Sequence, residues 1–184
     1  MLASGTGTIL GAIVDAGIPV AVVVADRPCR AIEVAASTGI PAELVERDSF
    51  GADFDRDAYS CRVADLLERR GVDLVAMAGF GTIFSRPMHD RYGGRIINTH
   101  PALLPAFPGW HAVRAALDHG VKVTGCTVHV AGLDVDTGPI LAQEAVPVLD
   151  GDTVEVLQER IKAVERRLYP ATLRSILDRG SVLP

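Results

Sequence analysis

Short apolar runs separated by amphipathic segments limit the fold of this chain more than any other feature. Residues 20–25, 74–78 and 95–98 are brief, apolar or β-branched, and bounded by polar or turn residues, so they predict strands buried on both faces. Between them lie helical patterns. Residues 8–16 carry Ile9, Leu10, Ile13 and Val14 on one face, residues 30–38 carry Ile32, Val34 and Ala35, and residues 57–70 carry Val63, Leu66 and Leu67 opposite charged side chains. Strands alternating with helices build βαβ units. Residues 121–130 and 139–148 then read as two extended segments joined only by a loop, an antiparallel addition. A C-terminal helix follows from about Thr153, capped by Asp152 or Thr153, and is expected to break or bend at Pro170. The fold class expected is therefore α/β: a single open, mostly parallel twisted sheet with helices on both faces, Rossmann-like, with an antiparallel addition near the C-terminal end.

Composition narrows the function. A chain of 184 residues fits one domain, 1–184, and its net charge of −5 argues against a nucleic-acid partner. Cys29, Cys61 and Cys126 are odd in number and far apart, which suits a reducing compartment and offers no thiolate metal site. The longest strongly apolar stretch, residues 18–25, is far below the roughly 20 residues a membrane helix needs. No signal-peptide pattern opens the chain, and a cytoplasmic protein without a membrane partner is the expectation. Only Lys122 and Lys162 are lysines, all other long basic side chains being arginine.

In open α/β sheets ligands bind beyond the carboxyl ends of the strands. Ser4-Gly5-Thr6-Gly7-Thr8 follows the first apolar residues and opens a helical pattern. Glycines admit a ligand close to the backbone, and the free N–H groups of a helix start attract phosphate; a tight turn would use the same glycines for steric reasons alone. A dinucleotide site, with Asp26 as the ribose acid, fits poorly because Leu10 stands where a third glycine belongs.

The stretch Arg95-Ile96-Ile97-Asn98-Thr99-His100-Pro101 puts Asn98 and His100 two residues apart at the end of a strand, so both point to one side. A proline-stiffened loop, residues 101–109, follows. A second loop, Leu133-Asp134-Val135-Asp136-Thr137-Gly138-Pro139, supplies a carboxylate. An amide donor for a developing oxyanion, with an imidazole and a carboxylate to move a proton, is what acyl transfer to an amine requires. The carboxylate favours the protonated imidazole. Cys126 sits in an apolar segment and reads as a core residue, so no covalent intermediate is expected. A metal site from His100, His129 and Asp136 lacks the usual ligand spacing, and no metal is expected.

Ser4-Gly5-Thr6-Gly7, Ala78-Gly79-Phe80, Asn98-Thr99-His100-Pro101-Ala102-Leu103-Leu104-Pro105, Phe107-Pro108-Gly109 and Asp136-Thr137-Gly138-Pro139 occur in order over nearly the whole chain. In this the chain resembles the folate-dependent formyltransferase superfamily and, by its glycine loop, its length and Glu165 ahead of Tyr169-Pro170, the phosphoribosylglycinamide formyltransferase branch. The resemblance implies transfer of a formyl group from 10-formyltetrahydrofolate, as co-substrate, to the amine of glycinamide ribonucleotide in purine synthesis. By the same resemblance Asn98 polarises the formyl oxygen, His100 donates a proton, and Asp136 supports His100. Gly7, Thr8 and Ile9 hold the phosphate, aided by Lys162, while Glu165 accepts from the ribose. Arg56, Gly81, Thr82, Ile83, Phe84 and Asn98 lie along the folate. A homodimer is compatible with the resemblance.

Three positions depart from the family pattern. Ile9 replaces an Asn, Gly81-Thr82 replaces a Met-Arg pair, and only Met1-Leu2-Ala3 precede Ser4, so the first strand is truncated or unusually short. The alternatives are a formyltetrahydrofolate hydrolase, in which water replaces the amine, and a non-catalytic nucleotide-binding protein of the same fold. A tRNA-directed formyltransferase would need a further nucleic-acid-binding domain.

Overall fold

The computed structural model describes residues 1–49, 51 and 53–183. The elements run α1 (Thr8–Asp15), β1 (Val23–Ala25), α2 (Arg30–Ser37), β2 (Ala42–Leu44), α3 (Arg56–Arg69), β3 (Val75–Met77), α4 (Arg86–Tyr92), β4 (Ile96–His100), α5 (Ala112–Asp118), β5 (Val123–Val130), β6 (Ile140–Pro147) and α6 (Val154–Arg179). Two compact units divide the chain, Met1–Ile97 and Asn98–Pro184.

In the first unit β1 and β2 are parallel, with Val24 opposite Glu43. Ahead of α1, Leu2 forms two isolated bridges. Leu2 bridges Val24 on one side and Met77 on the other, both in the parallel sense. Its N–H donates to the Ala76 carbonyl at 2.8 Å, and Ala3 N–H donates to Val24 at 3.0 Å. Leu2 is fully buried with Leu10, Val22, Val23, Val24 and Val75, each side chain contributing about 1.5–3 kcal/mol by leaving water.

The second unit opens with Asn98, Thr99 and His100 of β4, which lies beside β5 in the strand order β4-β5-β6. β5 and β6 are antiparallel, Cys126 opposite Glu144, with an irregularity between Val128 and His129. The sheet is mostly parallel with this antiparallel addition, as the periodicity predicts. Helix α6 covers a core of Val113, Cys126, Val146, Leu157 and Ile161. Its cap is Thr153, whose hydroxyl accepts from Val156 N–H, satisfying a donor left over at the helix start.

The break expected in the last helix is not found. Helix α6 does not break at Pro170 but runs through it to Arg179. A proline inside a helix costs about 3 kcal/mol, yet Tyr169, Pro170, Leu173 and Ile176 are all buried, and that burial outweighs the loss. Three elements escape the sequence reading. β2 is exposed on alternate residues and lacks an apolar run, while α4 and α5 span only seven residues each, too short for a helical period to stand out. Among the described residues no helix is long and apolar enough to cross a membrane.

Candidate active site

Strand β4 presents its side chains alternately to two sides, and the chemistry divides with them. On one side His100, buried to 4% exposure, has Nδ1 3.2 Å from Asp136 Oδ2 and Nε2 2.7 Å from the Phe107 carbonyl oxygen. A carbonyl only accepts, so Nε2 carries a proton. Both ring nitrogens face acceptors, an arrangement that a doubly protonated ring satisfies. Asp136 also accepts from Gly109 N–H at 2.8 Å. Burial pushes the Asp136 carboxyl upward, but the neighbouring His129 ring, the Gly109 N–H and His100 outweigh it and hold the group below its ordinary value. Asp136 is therefore an anion at neutral pH.

Two backbone positions maintain this geometry. Phe107 and Asp136 both lie in the left-handed region, at φ 53° and 56°, conformations that cost non-glycine residues about 1–3 kcal/mol and cluster at functional sites. Gly138 explains the path of the Asp136 loop, since a Cβ there would fall 1.8 Å from the Val130 carbonyl oxygen. The loop is thereby pressed against β5.

Asn98 reaches β5 instead, its Nδ2 lying 3.2 Å from His129 Nε2. His129 Nε2 also lies 3.5 Å from Asp136 Oδ1. The sequence motif brings Asn98, His100 and Asp136 together, as expected, and the structure adds His129, which the sequence reading weighed only as a metal ligand. Its signal was its place beside Thr127 on one side of the alternating strand. Among the described residues no group of His, Cys, Asp and Glu is arranged to hold a metal ion.

On the other side of β4 the Thr99 hydroxyl lies 3.5 Å from Cys126 Sγ. Burial pushes the Cys126 thiol up to about 12, so it is no nucleophile at neutral pH. Burial likewise raises Glu165, partly offset by a hydrogen bond from Thr99 and the charges of Lys162 and Arg166. Lys162 lies 3.9 Å from Glu159 on the same helix.

The remaining expected site residues belong to the first unit. Gly7 caps α1 at φ 72°, and a Cβ there would sit 2.9 Å from Ala31 Cα, so the fold itself demands glycine; Gly5 has open space around its missing side chain. Thr8 is exposed, while the Ile9 side chain is buried in the core and leaves only its backbone N–H for a ligand. Arg56 is exposed at the start of α3, and its carbonyl accepts from Ser85 Oγ at 3.3 Å, next to Gly81, Thr82, Ile83 and Phe84. Thr82 is pinned at 3.4 Å to Asp26 and at 3.3 Å to Arg47, and Phe84 stacks on Phe80 at 5.5 Å. In that stretch the side chains of Thr82 and Phe84 serve the core.

The comparisons agree with this anatomy. The family model described as formyl transferase matches residues 1–173. A phosphoribosylglycinamide formyltransferase of Mycobacterium tuberculosis is 47% identical over 98% of this chain and 85% of its own. One from Bacillus subtilis is 38% identical over 96% and 93%. The crystal structure of phosphoribosylglycinamide formyltransferase from Bacillus halodurans superposes with a TM-score of 0.90 at 38% identity, over 98% of this chain and 95% of that one. The match runs through both units and holds at this identity over nearly the full length, so the chain belongs to the formyl transferase family, in its phosphoribosylglycinamide formyltransferase branch.

Proposed function

We propose that the protein transfers the formyl group of 10-formyltetrahydrofolate to the amine of 5'-phosphoribosylglycinamide, a step of purine synthesis, in the cytoplasm. The observation that carries the reading is the buried His100–Asp136 pair, 3.2 Å apart, with Asn98 on the same side of β4. The amine attacks the formyl carbon directly, forming a C–N bond. An Asn98 N–H stabilises the negative oxygen of the tetrahedral intermediate. His100 donates a proton to the departing folate nitrogen as its bond to the formyl carbon breaks, and the attacking amine loses one, Asp136 helping to relay it through water. The anionic Asp136 accepts from the His100 ring and orients it. No covalent enzyme intermediate is required, in keeping with the inert Cys126 thiol.

Gly7, Thr8 and Ile9 hold the ribonucleotide phosphate through the backbone N–H groups opening α1, with Lys162 adding charge. Glu165 accepts from the ribose hydroxyls. The folate lies along Arg56, whose guanidinium faces its glutamate carboxylate, and along Gly81, Thr82, Ile83 and Phe84, which offer backbone groups. The family match over residues 1–173 supports reading the whole chain, 1–184, as one catalytic domain. The test mixes the protein with formyl-folate and follows deformylated folate with and without the ribonucleotide. Release that depends on the ribonucleotide is expected; release that ignores it would replace the transferase with a hydrolase.

A further inference from the structure

His129 touches both Asn98 and Asp136, yet the reaction as derived gives it no task. It is 1% exposed in the interior of β5, a position where an imidazole is costly unless its nitrogens are partnered. Nδ1 lies 3.1 Å from the carbonyl of Val130. Nε2 lies 3.2 Å from Asn98 Nδ2 and 3.5 Å from Asp136 Oδ1. The two oxygens of Asp136 are thus divided: Oδ2 serves His100 and Gly109, and Oδ1 faces His129.

The placement matters because the amide and the carboxylate come from different elements. Asn98 comes from β4 and Asp136 from the loop between β5 and β6. The terminal torsion of an asparagine side chain is broad and soft, so its backbone does not decide where its N–H points. A hydrogen bond to a ring held rigidly in a strand does decide it.

We propose that His129 is a positioning residue whose Nε2 accepts from the Asn98 amide, so that the oxyanion donor is held beside the Asp136–His100 pair. It rests on the formyl-transfer reading of the site. His129 acts through Asn98 and does not touch the substrate.

Three substitutions separate this role from simple core filling. Glutamine can place a polar atom where Nε2 stands, asparagine reaches only the place of Nδ1, and phenylalanine fills the space with neither. His129→Phe and His129→Asn should lower kcat by about 10- to 100-fold, the effect of a misaimed group, with KM for both substrates nearly unchanged. His129→Gln should restore most of the rate. In an Asn98→Ala background, His129→Phe should cost little more, because groups acting as a unit are not additive. Rescue by asparagine but not glutamine would overturn the proposal in favour of the Val130 contact, and so would a full additional loss in the double variant.

A second readout needs no turnover. The Asn98 side-chain amide resonances, identified by their loss in Asn98→Ala, should be slow to exchange in the unsubstituted protein and fast in His129→Phe. Identical signals in both would overturn the positioning role. Altered signals in a protein that shows no formyl transfer at all would retain that role and overturn the transferase reading instead.

Discussion

The turn from Gly5 to Ile9 and the cluster around β4 are both read as binding chemistry, yet they are built from different material. The turn works through its backbone. Gly7 is required by its φ of 72° and the approach of Ala31, and Ile9 keeps its side chain in the core. The β4 cluster works through side chains, with His100, His129 and Asp136 all at most 8% exposed at the side chain. A backbone site tolerates changes of residue type wherever the N–H survives. A side-chain site depends on atoms placed to within a fraction of an ångström, and two left-handed residues, Phe107 and Asp136, maintain that placement.

The largest expected effect tests the side-chain half of this contrast. His100→Ala should lower kcat by about 10²-fold or more, the contribution of a general acid. Steady-state kinetics that match the unsubstituted enzyme would end its assigned role. The turn should respond in stability first. Gly7→Ala forces a Cβ to 2.9 Å from Ala31 Cα at a positive φ and should cost about 2 kcal/mol or more, read from the denaturant midpoint. Gly5→Ala has room, so it should leave that midpoint nearly unchanged and raise KM for the ribonucleotide. Equal effects of the two substitutions on stability would show that the turn is only a turn.

Asp136 gives the contrast a pH axis. Its folded value is held below the ordinary 3.8. The ionised form is therefore favoured by folding, and the stability it adds is present above that ordinary value and fades as pH falls through the lower, folded one. Asp136→Asn should flatten this acid limb in a series of thermal melts; an unchanged slope would mean the carboxylate is not held as described. The smallest effect belongs to Lys162→Ala. Its ion pair with Glu159 at 3.9 Å is partly exposed and is worth about 0–1 kcal/mol, so Tm should hardly move. KM for the ribonucleotide should rise several-fold without change in kcat, because a point charge on a phosphate binds ground and transition states alike. An unaltered KM would reduce the lysine to surface charge.

How much of this was legible in the sequence differs between particular residues. The pairing of β5 with β6 followed from two extended segments with only a loop between them. Asn98 and His100 could be placed on one side of a strand because strand side chains alternate. A carboxylate of the facing loop was legible, and the family resemblance singled out Asp136 over Asp134. His129 was not legible, because a histidine inside an apolar alternating strand carries no local mark of its neighbours. The continuity of α6 through Pro170 was hidden for a similar reason: local propensity opposes it, and burial of Tyr169, Leu173 and Ile176 overrides propensity.

By itself the sequence determined the α/β class, the antiparallel addition, a cap at Asp152 or Thr153, and an amide, an imidazole and a loop carboxylate suited to acyl transfer. These follow from periodicity, from the geometry of consecutive residues, and from chemical type, all of which are local. Only the tertiary structure decided that Leu2 bridges Val24 and Met77, that Thr99 reaches Cys126 and Glu165 behind β4, and that His129 lies beside both Asn98 and Asp136. Each depends on segments distant in the chain meeting in a close-packed interior, where position is set by what the neighbours leave free.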